Sequence, residues 1–164
     1  MPKKFERDLI ATYCKGAGVN VACKDVRIGG PGTLQLDRDR TAKAAQIIGD
    51  AKLEMFANNS LDHIVSCHFI EHYLNTRELV RAWLRVLKPG GVVALTCPKG
   101  DTGDMNRGGP LVHDPEHHHL FTEKTLPLYF RHAGYEVVEC RALDRMKAHG
   151  FPTDAVFLVA RKKK

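Results

Sequence analysis

The feature that most constrains the fold of this chain is a series of short apolar runs, each bounded by turn residues. Strands with one wetted face alternate apolar and polar residues, whereas these runs are nearly continuous. Such runs are typical of parallel β-strands that are covered on both faces. They lie at 18–23, 33–36, 44–48, 61–67 and 91–97, and two further strands are predicted near 135–142 and 153–160.

Helical patterns occur before, between and after these runs. Apolar residues at helical spacing predict an amphipathic helix over 3–14 and a second helix over 76–87, which ends at the "KPGG" turn. Thr122 is a suitable cap for a third helix that continues to about His132. Strands that alternate with helices predict an α/β fold with a mostly parallel sheet.

Composition limits the class of protein. The chain of 164 residues is 43% hydrophobic, which is enough for a single domain, 1–164, with one core. The net charge is +6, but the dense basic runs are only 3–4 and 161–164, which are typical of solvated tails and make nucleic acid the less favoured partner. Five widely spaced cysteines indicate free thiols, and no run is long enough for a membrane span. These features predict a cytoplasmic protein without a membrane anchor.

Acidic residues follow two of the predicted strands. Asp37 comes directly after the second run, and Asp50 follows the third. Ligands of open parallel sheets bind at the carboxyl ends of the strands, where an aspartate can accept hydrogen bonds from ribose hydroxyls and from a purine amine. Taken alone, each aspartate is equally consistent with an ordinary turn, "LDRDR" for Asp37 and "GD" for Asp50. Together and in this order they indicate a pocket for adenosine.

One long segment resembles a known family. The segment "GDAKLEMFANNSLDHIVSCHFIEHYLNTRELVRAWLRVLKPGGVVALTCPKG" is similar to the class I S-adenosylmethionine-dependent methyltransferases, and "HHHLFTEKTLPLYFRHAGYEVVE" resembles the later part of the same domain. The resemblance covers about 16–142 and is most specific at "WLRVLKPGG". It implies a Rossmann-like sheet of about seven strands with methyltransferase topology, and S-adenosylmethionine as cofactor.

The resemblance assigns cofactor-binding roles to individual positions. Asp37 matches the acid that binds ribose, and Asp50 with Ala51 matches the pair that binds adenine. Cys67 and His68 match the strand end that lines the methionine part of the cofactor.

The turn after the first strand departs from the family pattern. The family's first motif has an acidic residue and two glycines, where this chain has Asn20, Ala22 and Lys24, with Cys23 between the last two. Loss of a charge-assisted contact costs roughly 1.5–3 kcal/mol, or about tenfold to a hundredfold in affinity. Lys24 leads to two opposite expectations, since an ammonium pairs with the methionine carboxylate but repels the sulfonium.

The connections between the first strands are short. Nine residues separate Cys23 from Thr33, and six separate Asp37 from Ala44. Parallel neighbours normally need a crossover of about a dozen residues, so the helices here are predicted to be absent or reduced to a single turn. A thinly covered sheet face makes a homodimer a candidate assembly.

Histidines supply the candidate catalytic groups. His117 and His119 lie in a polar stretch, 98–120, which is predicted to be a long loop, and His72 resembles the family's Glu-His pair. Histidine suits a general base for a hydroxyl or amine acceptor. The alternatives are a polar surface loop and, for His72, a structural role. A metal site formed by His113, Asp114 and His117 or His119 does not follow a standard ligand pattern, so no metal is predicted.

These observations lead to two functional hypotheses. The first is S-adenosylmethionine-dependent methyl transfer to an oxygen or nitrogen of an unidentified acceptor. The second is a catalytically inactive methyltransferase-like module with a binding or structural role, which the altered 20–24 turn favours and which Asp37 and Asp50 disfavour.

Overall fold

The computed structural model describes residues 4–100, 116–143 and 155–164. These residues form three helices, seven strands and a short 3₁₀ helix. They are α1 Lys4–Ala11, β1 Gly18–Val21, β2 Thr33–Asp37, β3 Ile47–Ile48, β4 Leu61–Cys67, the 3₁₀ helix Ile70–His72, α2 Thr76–Val86, β5 Leu87–Pro98, α3 Leu126–Ala133, β6 Tyr135–Leu143 and β7 Ala155–Lys162.

The seven strands form one sheet in the order β3-β2-β1-β4-β5-β7-β6. The pairs among the first five strands are parallel, whereas β7 is antiparallel to both β5 and β6. The prediction of an α/β fold with a mostly parallel sheet of about seven strands is confirmed. None of the helices in the described ranges is both long enough and apolar enough to cross a membrane.

Several element boundaries differ from the predicted ones. The run at 44–48 forms only a two-residue strand, and β5 begins at Leu87, so that it includes the "KPGG" turn. The third helix begins at Leu126, because the Thr122 hydroxyl accepts from the amides of Lys124 and Thr125 and caps a turn ahead of the helix. The central part of the predicted loop at 98–120, together with 144–154, lies outside the described residues.

Helices α2 and α3 cover one face of the sheet. The apolar face of α2 buries Leu79, Val80 and Trp83 completely, and Phe130 of α3 is equally buried. These side chains pack against apolar residues of β1, β4, β5 and β7 in one continuous core. The apolar runs and this helix pair therefore form the main hydrophobic core of the protein.

The opposite face is covered by α1 and by the 22–32 loop. No helix occurs in 22–32, 38–46 or 49–60, all of which the structure describes, so the predicted loss of helices between the first strands is confirmed. Buried amide side chains hold the loop instead. Asn20 Nδ2 donates to the Val26 carbonyl at 3.1 Å and to Gln35 Oε1 at 2.8 Å, and Gln35 exchanges hydrogen bonds with the backbone of Ile28. These side chains satisfy buried backbone N–H and C=O groups of the 22–32 loop, which a helix would satisfy internally. The loop can therefore stand in place of a crossover helix.

Candidate functional site

A cavity of about 560 Å³ opens at the carboxyl ends of β1, β2, β3 and β4. Open parallel sheets bind ligands at this edge, and the volume lies in the range of small-molecule sites. The strand order gives the cavity an aspartate end, after β2 and β3, and a histidine end, after β4. The lining residues at the aspartate end are Leu36, Asp37, Arg38, Asp39, Gly49, Asp50 and Ala51; those after β1 are Ala22 and Lys24; and those at the histidine end are His68, Phe69, His72, Tyr73, Glu116 and His118.

The turn after β1 has a backbone conformation that glycine favours. Ala22 and Lys24 have φ angles of 57° and 46°, and both residues line the cavity. A left-handed conformation costs a residue with a Cβ roughly 1–2 kcal/mol. The turn therefore keeps a glycine-type path while adding a methyl group and an ammonium side chain at the cavity wall.

Asp37 ties the β1 turn to the β2 turn. Its Oδ2 accepts from the Lys24 amide at 2.7 Å, and its Oδ1 accepts from the Asp39 amide at 2.9 Å. Each carboxylate oxygen retains a second lone pair that can accept from a ligand. Asp39 is exposed, and hydrogen bonds from the Thr41 amide and hydroxyl hold the pKa of Asp39 below its usual value. The aspartate end is therefore rich in acceptors.

Asp50 and Ala51 continue this end of the cavity. Asp50 is exposed, and its Oδ1 accepts from the Lys52 amide at 2.8 Å. The Ala51 carbonyl accepts from the indole N–H of the buried Trp83, also at 2.8 Å. Helix α2 thus fixes the backbone after β3, although β3 itself has only two residues.

Three of the predicted cofactor-binding residues do not line the cavity. Asn20 points into the opposite face of the sheet, where it holds the 22–32 loop. Cys23 is buried beside the turn, and burial raises the pKa of its thiol to about 11. The Cys67 thiol is also buried, which raises its pKa, and lies 2.9 Å from the Thr96 hydroxyl. The structure thus brings Ala22, Lys24, Asp37, Asp50, Ala51 and His68 together without these three.

His68 begins the histidine end in a strained conformation, with a φ of 53°. Its Nε2 lies 2.9 Å from a carboxylate oxygen of Glu6, which reaches across from α1. Burial alone would lower the pKa of His68, but the hydrogen bond and charge of Glu6, together with the charge of Glu71, raise it overall. His68 therefore keeps its second proton to a higher pH than an ordinary histidine does.

Glu71 and His72 lie on the 3₁₀ helix that follows His68. His72 Nδ1 lies 3.2 Å from the Glu116 carbonyl, which can only accept, so Nδ1 carries the proton. His72 Nε2 faces Glu71 Oε1 at 3.8 Å. The Glu71 side chain is 2% exposed and that of His72 is 31% exposed, so the pair joins the core to the cavity wall.

The segment 116–119 docks on this 3₁₀ helix. The Glu71 carbonyl accepts from the amides of His118 and His119, at 2.9 and 3.2 Å. The His117 ring lies edge-on to the His72 ring, with centroids 4.6 Å apart. His119 Nε2 donates to the Leu74 carbonyl, and its ring stacks on Phe121. His72 therefore lines the cavity, His117 lies directly beside it, and His119 packs between neighbouring elements.

Sequence reasoning did not single out several residues of this region. Asp39 lies two positions after Asp37, and Tyr73 directly follows His72. Extending the predicted segments by one or two residues would have found both. Glu6 shares the buried side of α1 with Ile10, one turn later, which is an unusual place for a carboxylate. Glu71 belongs to the Glu-His pair itself, Glu116 and His118 belong to the histidine-rich stretch, and Arg38 and Phe69 directly follow Asp37 and His68. His113 and Asp114 lie outside the described residues.

Comparisons with known proteins agree with this geometry. The family model for a methyltransferase domain matches residues 7–140. None of the curated proteins matches the sequence. A SAM-dependent methyltransferase from Methanosarcina mazei is 18% identical, with a TM-score of 0.70 over 94% of this chain and 97% of that one.

Two further solved structures share the fold. Phosphoethanolamine N-methyltransferase 2 of Haemonchus contortus, bound to phosphomonomethylethanolamine and S-adenosylhomocysteine, is 14% identical, with a TM-score of 0.75 over 99% of this chain and 54% of that one. The cyclase SpnF is 16% identical, with a TM-score of 0.72 over 96% of this chain and 79% of that one. At these identities the similarity shows the fold alone. The family model spans most of the chain, and the protein belongs to the methyltransferase-domain family with the α/β fold of the SAM-dependent methyltransferases.

Proposed function

We propose that this chain is a single methyltransferase domain that transfers the methyl group of S-adenosylmethionine to an oxygen or nitrogen of a small acceptor. One observation carries the proposal. A single cavity at the ligand-binding edge of the sheet places Asp37 and Asp50, from neighbouring strands, in the same space as His68 and His72. When it is bound, the cofactor supplies an electrophilic methyl group on a sulfonium.

The aspartate end fits the nucleoside. Asp37 has acceptor capacity left after its two backbone hydrogen bonds, which suits ribose hydroxyls. Asp50 is exposed at the next strand end, where it can accept from the adenine amine beside Ala51. Lys24 and His68 line the same cavity, and the Lys24 ammonium suits the methionine carboxylate. For Asn20, Cys23 and Cys67 we propose supporting roles behind the cavity wall.

The histidine end suits the acceptor. A hydroxyl or ammonium acceptor must lose a proton before or during methyl transfer. We assign this task to the His72–His117 pair, because His72 Nε2 carries no proton in the neutral ring and His72 lines the cavity. The hydrogen bond to Leu74 and the stacking on Phe121 give His119 a packing role.

Two further proposals concern the setting of the protein. The five cysteines are free thiols, which suits a reducing cytoplasm. Leu34 and Ile48 are 38% and 46% exposed on β2 and on the edge strand β3, which supports a homodimer formed at this edge. Analytical ultracentrifugation tests the dimer, and a Leu34→Lys substitution should abolish it.

A second candidate function is a catalytically inactive binding module of the same fold. The observation that favours it is the 20–24 turn, where Ala22 and Lys24 place side chains at the wall that glycines would leave open. SpnF is a cyclase with the same fold, so the fold by itself does not establish methyl transfer.

Calorimetric titration with S-adenosylmethionine and S-adenosylhomocysteine decides between the two. The native chain should bind both, and Asp50→Ala should weaken binding roughly tenfold to a hundredfold through loss of a charged acceptor. Asp8→Ala, which removes an exposed aspartate of α1, is the matched control and should bind normally. Asp37→Ala should weaken both binding and stability, since it also releases two backbone amides. Absence of heat at millimolar ligand would favour the inactive module.

A further inference from the structure

Two imidazoles and a carboxylate converge at the histidine end of the cavity. One ligand atom from each of Glu71, His72 and His117 lies within 4.8 Å of the other two. Two histidines with one carboxylate form a ligand set that proteins use for Zn²⁺ and for Fe²⁺. From this arrangement we propose that Glu71, His72 and His117 bind a divalent cation of the Zn²⁺ class, which in turn binds the acceptor hydroxyl.

The orientation of His72 is that of a metal ligand. A histidine that binds a metal usually donates its other ring N–H to a carbonyl or carboxylate, which fixes the tautomer. His72 Nδ1 donates in this way to the Glu116 carbonyl at 3.2 Å. In the neutral ring Nε2 carries no proton, and Nε2 is the ring nitrogen that lies near Glu71.

The distance between His72 and Glu71 suits a bridging cation. His72 Nε2 and Glu71 Oε1 are 3.8 Å apart, which is too long for a hydrogen bond. Two coordination bonds of about 2.1 Å span at most about 4.2 Å, so one cation reaches both atoms without a change in backbone. The Glu71 side chain is 2% exposed, and a divalent cation would add to the compensation that His68 supplies, since His68 Nδ1 lies 3.9 Å from the same oxygen.

The third ligand is held in place by the backbone. Hydrogen bonds from His118 and His119 to the Glu71 carbonyl, and from His72 to the Glu116 carbonyl, attach segment 116–119 to the 3₁₀ helix on both sides of His117. The His117 and His72 rings are 4.6 Å apart as a result. Segment 116–119 is thus fixed beside the site, and binding a cation requires ligands that are held in place.

A neighbouring group of potential ligands is a weaker candidate. Glu6, Cys67 and His68 also converge, but His68 Nε2 already bonds to Glu6 at 2.9 Å. Burial raises the pKa of the Cys67 thiol, which disfavours the thiolate that a metal needs. This group therefore serves as an internal control for the first.

The role of the cation, unlike its binding, rests on the proposed function. Of the three proposed ligands His72 lines the cavity, next to Glu116 and His118, so an acceptor in the cavity would reach the cation from the side of His72. A hydroxyl bound to the cation loses its proton to water more readily, so in the metal-bound protein the cation takes over the general-base role that the proposed function gives to His72 and His117. Its oxygen then forms a bond to the methyl carbon, and the carbon–sulfur bond breaks with its electron pair remaining on sulfur, which leaves S-adenosylhomocysteine. The acceptor class is thereby narrowed to compounds that carry a hydroxyl group.

Metal binding is tested first, without cofactor. The chain is freed of metal with a chelator and titrated with Zn²⁺ by calorimetry and with Co²⁺ by visible absorption. One cation per chain is expected to bind. His117→Ala and the isosteric Glu71→Gln should each weaken binding by more than the roughly 10–100-fold cost of losing an outer-shell partner. His132→Ala, which removes an exposed histidine of α3, and Cys67→Ala should bind Zn²⁺ as the native chain does.

The outcomes separate this inference from the proposed function. Absence of saturable Zn²⁺ and Co²⁺ binding, or binding retained in both His117→Ala and Glu71→Gln, overturns the metal site. Circular dichroism identifies a variant that has not folded, and Glu71→Gln, which keeps the side-chain volume, then decides alone. Binding of S-adenosylmethionine is measured separately in excess chelator, so its failure counts against the methyltransferase proposal and leaves the metal result intact.

Discussion

The two halves of the sheet are held by different physical forces. The half formed by β4, β5, β7 and β6 is covered by α2 and α3, whose apolar faces are fully buried. The half formed by β1, β2 and β3 has loops where crossover helices would lie, and buried amides of Asn20 and Gln35 hold the 22–32 loop against it. The first half depends on packing against helices, whereas the second half adds specific hydrogen bonds to the apolar side chains that β1 and β2 contribute to the core.

This difference changes the meaning of the altered first motif. Asn20 stands where the methyltransferase pattern has an acid, yet its side chain donates to the Val26 carbonyl and to Gln35. A carboxylate cannot donate, so the amide is the residue that this loop requires. We infer that Asn20 replaced the acid of the first motif because the crossover helix between β1 and β2 is absent. On this interpretation Asn20 stabilises the fold and does not bind the ligand.

The largest expected effect lies in the packed half. Trp83→Ala removes a fully buried indole from α2 and should cost about 3–5 kcal/mol of unfolding free energy. Urea denaturation measures this loss. Trp83→Phe keeps most of the volume but loses the hydrogen bond to the Ala51 carbonyl, so it should cost only about 1 kcal/mol for that bond. Equal costs for the two variants would contradict a core that depends on packing.

The sharpest test of the hydrogen-bonded half is Asn20→Asp, which restores the family's acid. The carboxylate would face the Val26 carbonyl and Gln35 Oε1, so the unfolding free energy should fall by about 1–3 kcal/mol. Affinity for S-adenosylmethionine should not rise. Asn58→Asp is the matched control, because Asn58 Oδ1 is exposed and only accepts, from Arg85, which a carboxylate does equally well. Tighter cofactor binding with unchanged stability would instead place Asn20 at the ligand.

A smaller effect is expected at the turn after β1. Ala22→Gly removes the strain of the left-handed backbone at position 22, which is roughly 1–2 kcal/mol. The substitution also raises the entropy of the unfolded chain, which costs about 0.5–1 kcal/mol. A net gain of about 0.5 kcal/mol is therefore expected in urea denaturation. Ala45→Gly is the control, since Ala45 lies in a nearby loop without a positive φ and should lose stability. A loss at both positions would mean that the turn is not strained.

The smallest effect is a dependence on pH that originates in the hydrogen-bonded half. His63 is fully buried, with Nδ1 donating to the Lys15 carbonyl and Nε2 accepting from the Thr33 hydroxyl. Burial lowers the pKa of His63 below its ordinary value of 6.5, despite the Lys15 carbonyl and Asp62, so the unfolded chain binds the proton more readily. The contribution of His63 is fully present above pH 6.5 and is lost as the pH falls through its lowered pKa.

Stability profiles of the native chain and of His63→Gln between pH 5 and 8 measure this dependence. The difference between the two profiles should shrink as the pH falls below about 6.5. A constant difference across this range would show that His63 does not titrate differently in the folded and unfolded chains.

Much of the architecture was predictable because it depends on local patterns. Continuous apolar runs mark buried strands, and parallel strand ends meet at one edge, which brought Asp37 and Asp50 together as expected. The role of Asn20 was not predictable, since its partners depend on how the 22–32 loop folds back. The contact between His72 and His117 likewise depends on the docking of a segment 45 residues later, which no local pattern encodes.

The position of β7 between β5 and β6 also affects how the protein can be made. β7 is the last strand in chain order, yet it is the one that connects β6 to the rest of the sheet. During translation, the edge of β5 at 92–98 stays open until the ribosome has released residues 155–162. An apolar strand with an open edge is a template for intermolecular pairing. Nascent chains that stall before residues 155–162 should therefore depend on chaperones far more than chains that include β7.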